Sequence, residues 1–190
     1  MAFLIAQLSK SEIRSINITA EGEISEYLDS LQTFATVGVL AVSCGDEVNY
    51  VNANFIAKEK GIDLTTSEFS NHSGYQNKVS INITTPTGVK TISGTVFNED
   101  VQRIVEINGF PLDIEPKGKM IIMRNHDVPG VIGEVGKILG NNNINIADFR
   151  LSRGNDGALA VILIDEKACS DVLKKLDSLE AAIAVAYAEI

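Results

Sequence analysis

Three features of the chain predict an α+β fold. Two pairs of alternating apolar segments flank the tight-turn sequences Thr85-Pro86-Thr87-Gly88 and Asn108-Gly109, and each pair reads as an antiparallel hairpin. Pro and Gly, or Asn followed by Gly, adopt the backbone angles that such a reversal requires. Upstream, apolar residues recur at helical rather than alternating spacing through residues 28–42. Downstream of Gly118 the pattern becomes strand, helix, strand, strand, helix, strand. With 190 residues, 45% hydrophobic and 22% charged, the chain can bury a sizeable core and has the composition of a globular protein of one or two domains.

The opening segment, MAFLIAQLSK, is apolar but has no basic flank, and its apolar run is shorter than a secretory core. The longest later apolar run, residues 34–42, is too short to span a bilayer. A cytoplasmic protein is expected, and the sequons opening at Asn17, Asn71 and Asn82 are then chance matches. Ile16 and Ile18 alternate with polar residues as in a strand, which Ala20-Glu21-Gly22 closes. Two helices should follow, the first carrying Leu28, Leu31, Ala35, Val39 and Val42, the second Val48, Val51, Phe55 and Ile56. Lys58 and Lys60 favour the negative end of the second helix, where Gly61 can take the left-handed cap conformation.

Val79, Ile81 and Ile83 pair with the strand of residues 89–97 across the first turn. Ile104, Val105 and Ile107 pair with Phe110, Leu112 and Ile114 across the second. Glu115-Pro116-Lys117-Gly118 interrupts the strand pattern and divides the chain into residues 1–117 and 118–190. In the second part Val131, Ile132, Val135, Ile138 and Leu139 mark a helix, Asp156-Gly157 turns one strand into the next, Val172, Leu173, Leu176 and Leu179 mark another helix, and Ile183, Val185 and Tyr187 a last strand. The order βαββαβ predicts a ferredoxin-like layer, with helices on one face of an antiparallel sheet.

Charge and residue counts exclude several functions. The formal charge of −9 divides into eight basic and fifteen acidic residues through Lys117, then eight basic and ten acidic. Phosphate backbones require clustered Lys and Arg, so no nucleic-acid partner is expected. Cys44 and Cys169 are too distant for a local metal spacing and are expected to be reduced and structural. His72 and His126 lack companion ligands, which argues against zinc and against a nucleophilic triad and places both at the surface. Gly130, Gly133 and Gly136 have the spacing G-x-x-G-x-x-G rather than that of a dinucleotide loop. Gly133 and Gly136 instead suit close packing of a helix on its sheet or on a partner, and Gly130 a close approach of ligand to backbone.

Residues 120–153, MIIMRNHDVPGVIGEVGKILGNNNINIADFRLSR, hold the densest information. A strand runs into Asn125-His126-Asp127, and a helix starts after Pro129-Gly130. A helix start presents unpaired N–H groups and a positive dipole end, so a neighbouring Asn and Asp loop suits a small zwitterion. The amides after Pro129-Gly130, from Val131 on, would take a carboxylate and Asp127 an ammonium; read alone, Asp127 would be a helix cap.

The motif D-x-P-G-V-I-G-x-V-G followed by I-N-I-A resembles the ACT domain, a small amino-acid-sensing module, in the form found in the D-3-phosphoglycerate dehydrogenase family. Upstream, VNYVNANFIAKEKGI (48–62), SGTVF (93–97) and RIVEINGFPLDIEPKGKM (103–120) resemble the intervening, or allosteric substrate binding, domain of the long form of that family. The resemblance implies an intervening α+β domain over residues 1–117 and an ACT domain over 118–190. It implies the C-terminal regulatory region of an NAD-dependent oxidoreductase of serine biosynthesis, with L-serine as feedback effector. NAD would belong to catalytic domains whose Gly-rich loop and Arg, Glu and His set are not in this chain, so no cofactor is expected here. MAFLIAQL resembles the first helix of the intervening domain.

By the same resemblance, Asn125 and Asp127 match effector-contacting positions, the first usually His or Tyr in the family. Asn145 matches the residue that completes the site from a neighbouring subunit, so a homo-oligomer paired through ACT domains is implied. Arg103 matches a basic position that binds an anionic effector in some relatives; two further Arg positions of that cluster are Glu115 and Ile164 here, and Lys90, Lys117 or Lys119 would have to supply the missing charge. Read alone, Arg103 is a solvated strand residue and Asn145 a strand-edge residue. Two other readings stand beside the leading one: a regulatory chain of an iron-sulfur L-serine dehydratase, whose cluster two distant cysteines cannot ligate, and a free-standing amino-acid sensor.

Overall fold

A computed structural model describes residues 1–9, 11–69, 74–98 and 100–190, so His72 and the Asn71 sequon lie outside the described residues. The chain forms two compact units, Met1–Gly109 with Asp113–Pro116, and Phe110–Leu112 with Lys117–Ile190. It is α+β as the sequence predicts, with two sheets and helices beside each.

In the first unit α1 (Ala2–Gln7) precedes β1 (Ser15–Glu21), and a short 3-10 turn (Glu23–Tyr27) leads into α2 (Leu28–Cys44). A second 3-10 turn (Gly45–Glu47) and α3 (Ala53–Glu59) bring the chain to β2 (Asp63–Glu68), which runs parallel to β1. Parallel neighbours need a crossover, which α2 and α3 supply. Then β3 (Lys78–Thr85), β4 (Gly88–Phe97), β5 (Val101–Ile107) and β6 (Phe110–Ile114) continue antiparallel, and the six strands lie in the order β2-β1-β3-β4-β5-β6. The Asn108-Gly109 turn has positive φ at both residues, 50° and 81°, as a two-residue hairpin demands.

Alternation decides the faces of this sheet. Ile16, Ile18, Ile81, Ile83 and Ile92 are buried on one side. On the other, Asn82 donates to Asn17, Thr91 donates to Asn82, and the Ser80 and Ser93 hydroxyls pair at 2.8 Å. At Gly38 of α2 a β-carbon would come within 2.8 Å of the Ala2 β-carbon, so glycine permits α1 to lie close on α2.

The structure departs from the sequence reading at α3 and β2. The second helix starts at Ala53 rather than Val48, and its buried residues are Ala53 and Ala57; Val51 and Phe55 are 94% and 63% exposed. The strand β2 went unread because its DLTTSE sequence is almost wholly exposed and has no apolar face to alternate. Within the helical stretch Glu23–Glu47 an 18-residue window reaches a mean hydropathy of 1.2, long and apolar enough by length and composition alone to cross a membrane. In the structure α2 packs against α1 and β1 and buries Ala35, Thr36, Val39 and Leu40.

The second unit contains β7 (Lys119–Asn125), α4 (Val131–Asn141), β8 (Ile146–Gly154), β9 (Gly157–Ile164), α5 (Ser170–Asp177) and β10 (Ala182–Glu189). The sheet order is β10-β7-β9-β8 with antiparallel neighbours throughout, the ferredoxin-like arrangement that βαββαβ predicts. Ile121 and Met123 of β7 and Ile162 and Ile164 of β9 join Val131, Val135 and Leu139 of α4 and Val172 and Leu176 of α5 in one core. Leu179 packs against that core from beyond the end of α5.

Candidate functional site

At its C-terminal end β7 delivers Asn125 into the loop His126-Asp127-Val128-Pro129-Gly130. Asn125 alternates with Ile121 and Met123, so it faces the helix side of the sheet and is only 2% exposed. Its amide nitrogen donates to the His126 carbonyl at 2.9 Å, while its side-chain oxygen is buried without a hydrogen-bond partner. A buried acceptor without a donor costs about 1–3 kcal/mol, so a ligand donor reaching it recovers that energy.

Directly after the loop, α4 begins at Val131. Its N-cap is Gly130 in the left-handed region, φ 96°, and no side chain caps the helix. The reading of Asp127 as a cap is therefore overturned: the helix starts one turn too late for its carboxylate. Asp127 instead lies 3.1 Å from the Nε of Arg153, with side chains 37% and 72% exposed. His126 is exposed, as expected, and its backbone N–H donates to the Ala181 carbonyl.

Sheet register explains why Arg153 is present. Asn125 of β7 and Arg153 of β8 both stand opposite Ala158 of β9, so the three residues form one row across the sheet. Arg153 shares its face with Phe149 and Leu151, which pack on the helix-side core. It therefore rises from the same side as Asn125, beside the start of α4. Between them, Gly157 (φ 109°) lies under the loop: a β-carbon there would be 2.5 Å from the Asn125 carbonyl oxygen.

Asn145 is elsewhere. It immediately precedes β8, whose Ile146 stands opposite Ile164, and Ile164 stands opposite Lys119 at the far end of β7 from Asn125. Seven residues of strand separate the two ends, about 20 Å. The Asn145 side chain donates to Asp165 at 2.6 Å and its backbone N–H to Glu166 at 2.7 Å. The fold thus brings together Asn125, Asp127, Pro129, Gly130 and Val131 within one chain but leaves Asn145 apart.

Arg103 makes ion pairs with Asp113 at 3.1 Å and Glu115 at 3.9 Å. An incoming anion would have to displace two carboxylates. Lys90 donates to the Leu8 carbonyl, and Lys119 to the Asp165 carbonyl at 2.8 Å. The open face of the six-stranded sheet carries a groove of about 250 Å³ lined by Thr19, Lys78, Ser80, Asn82 and Glu106 among others. Lys78 pairs with Glu106 at 3.2 Å, and the Ser and Asn groups bond one another, so this face is already satisfied internally. Cys169 is exposed, which removes the structural role expected for it, and Cys44 is half-buried. Among the described residues no group of His, Cys, Asp and Glu is placed to hold a metal ion.

Sequence reasoning missed Arg153. The signal was present in part: the turn before Gly157 fixes Arg153 opposite Ala158, but which residue of β7 joins that row depends on long-range pairing.

A family profile described as D-3-phosphoglycerate dehydrogenase intervening domain matches residues 1–108, and one described as ACT domain matches residues 119–181. The D-3-phosphoglycerate dehydrogenase of Bacillus subtilis is 35% identical over 96% of this chain and 35% of its own length. Those of Synechocystis sp. and Archaeoglobus fulgidus are each 30% identical, over 85% and 94% of this chain and 30% and 34% of their own lengths. The chain spans about a third of the length of these curated relatives. A solved homoserine dehydrogenase from Thiobacillus denitrificans overlaps 58% of this chain and 33% of that one, at 12% identity and a TM-score of 0.29, too low to carry an argument.

Proposed function

The chain belongs to the D-3-phosphoglycerate dehydrogenase intervening-domain family and carries an ACT domain after it, and from that premise we propose that it is a cytoplasmic regulatory module binding L-serine as a feedback effector. The observation that carries this reading is the buried, unpartnered side-chain oxygen of Asn125 beside the uncapped start of α4. An acceptor inside and free N–H groups at the helix start complement a molecule that has both donors and a carboxylate. Asp127 supplies the negative charge for the ammonium.

In this reading Asn145, which within one chain stands at the opposite end of the sheet, completes the site from a second copy. Effector binding and pairing of ACT domains are therefore one event, and serine favours the paired form by mass action. Feedback on an attached dehydrogenase then requires that serine bind its inactive state better than its active state; equal affinity for both would shift nothing. NAD belongs to the catalytic part of such an enzyme, and none of the groups described here is assigned to it.

Calorimetric titration with L-serine tests the proposal. Asp127→Ala removes a charge-assisted contact and should weaken binding by roughly tenfold to a hundredfold while the fold persists. Equal affinity in wild type and Asp127→Ala, or no binding of serine or any other small amino acid to wild type, overturns it.

A further inference from the structure

We propose that Arg153 is a specificity-determining residue of this site: it holds the ligand's carboxylate while Asp127 holds the ammonium, so that the pair selects free α-amino acids. This rests on the effector reading of the preceding section. The distance between Arg153 Nε and Asp127 Oδ2, 3.1 Å, places a positive and a negative group side by side at the loop mouth. An α-amino acid carries its own two charges on neighbouring groups, in the opposite sense. Laid against the pair, its ammonium meets Asp127 and its carboxylate meets Arg153.

The geometry favours this over a purely structural ion pair on three counts. Only Nε of the guanidinium is engaged, and Arg153 makes no other bond among the described residues, so both terminal nitrogens remain for a carboxylate. At 72% exposure the side chain can reach a ligand without breaking a packed contact. The row Asn125, Ala158, Arg153 puts the guanidinium on the same face as the unpartnered Asn125 oxygen and the start of α4.

Amides at the helix start can hold a carboxylate by themselves, so the test must isolate the contribution of Arg153. L-serinamide keeps the ammonium and hydroxyl of serine and lacks its carboxylate. Both ligands are titrated calorimetrically into wild type, Arg153→Gln, Arg153→Lys and Asp127→Ala. Arg153→Gln should bind serine about threefold to tenfold more weakly, the range for an exposed charge-assisted contact, and serinamide equally well. The preference for serine over serinamide then shrinks by that factor, and Arg153→Lys recovers part of it. A preference unchanged in Arg153→Gln places the carboxylate elsewhere and overturns the inference. Tighter binding of both ligands to Arg153→Gln also overturns it, because Arg153 would then be competing for Asp127. Failure of the effector reading looks different: serine does not bind wild type, or binds Asp127→Ala equally well.

Discussion

A β-carbon at position 157 would lie 2.5 Å from the Asn125 carbonyl oxygen, on a backbone whose φ is 109°. Both facts penalise any side chain: the conformation is strained for L-residues and the loop must lift to relieve the contact. Gly157→Ala should lower stability in urea unfolding by about 2 kcal/mol or more and should weaken serine binding, since the same loop carries Asp127. Tyr187 offers a second test at this scale. Burial, then a 3.0 Å hydrogen bond to Glu189 and that residue's charge, push its phenol up from 10.0 to about 12. A folded-state value above the unfolded one contributes stability that is complete below pH 10 and is lost as pH rises towards 12. Tyr187→Phe should abolish that part of the alkaline fall in thermal midpoint and leave the neutral region unchanged in slope. Single residues were unevenly legible in the sequence. Asn125, Asp127 and Gly130 fall beside a recognisable strand end and helix start, but the partner of Asp127 is Arg153, twenty-six positions away, and only tertiary pairing makes them neighbours.

Among the elements, α4 shows where periodicity suffices and where it fails. Val131, Val135 and Leu139 are buried, as their spacing requires, while Ile132 is 52% exposed. Close packing of Gly133 and Gly136 on the sheet was one expectation for this helix, but a β-carbon at either meets nothing within 4 Å. Within the chain these glycines are therefore unconstrained, and Gly136→Ala should raise stability in urea by about 0.5–1 kcal/mol, the difference in helix propensity, when measured at high dilution. A loss of stability there would mean that another surface covers the helix. Strands with one apolar face, such as β3 with Ile81 and Ile83, were readable from alternation. The exposed β2 was not, and α3 misled because Phe55 lies outward and Val51 falls before the helix while two alanines pack inward. Hydrophobic spacing reports a buried face only when the large residues occupy it.

At the scale of the whole molecule the two halves of the proposed site stand about 20 Å apart along β7 and its neighbours, so one chain cannot assemble it alone. Paired ACT domains related by a two-fold axis would build two sites, each taking Asp127 from one copy and Asn145 from the other. Such sharing has a consequence that no single-chain site reproduces. Asp127→Ala and Asn145→Ala chains should each bind serine weakly as homodimers, because every site lacks one contact. Mixed in equal amounts and allowed to exchange subunits, they form heterodimers in which one site contains both substitutions and the other contains neither. Calorimetric titration of the mixture should then show serine binding at wild-type affinity with a stoichiometry of about one quarter of the wild-type value, since about half of the dimers are heterodimers, each with one intact site. Light scattering on the same samples should show dimers or larger assemblies throughout. Recovery of affinity on mixing requires contributions from two copies, whereas a mixture that binds no better than its components confines the site to one chain and removes Asn145 from it.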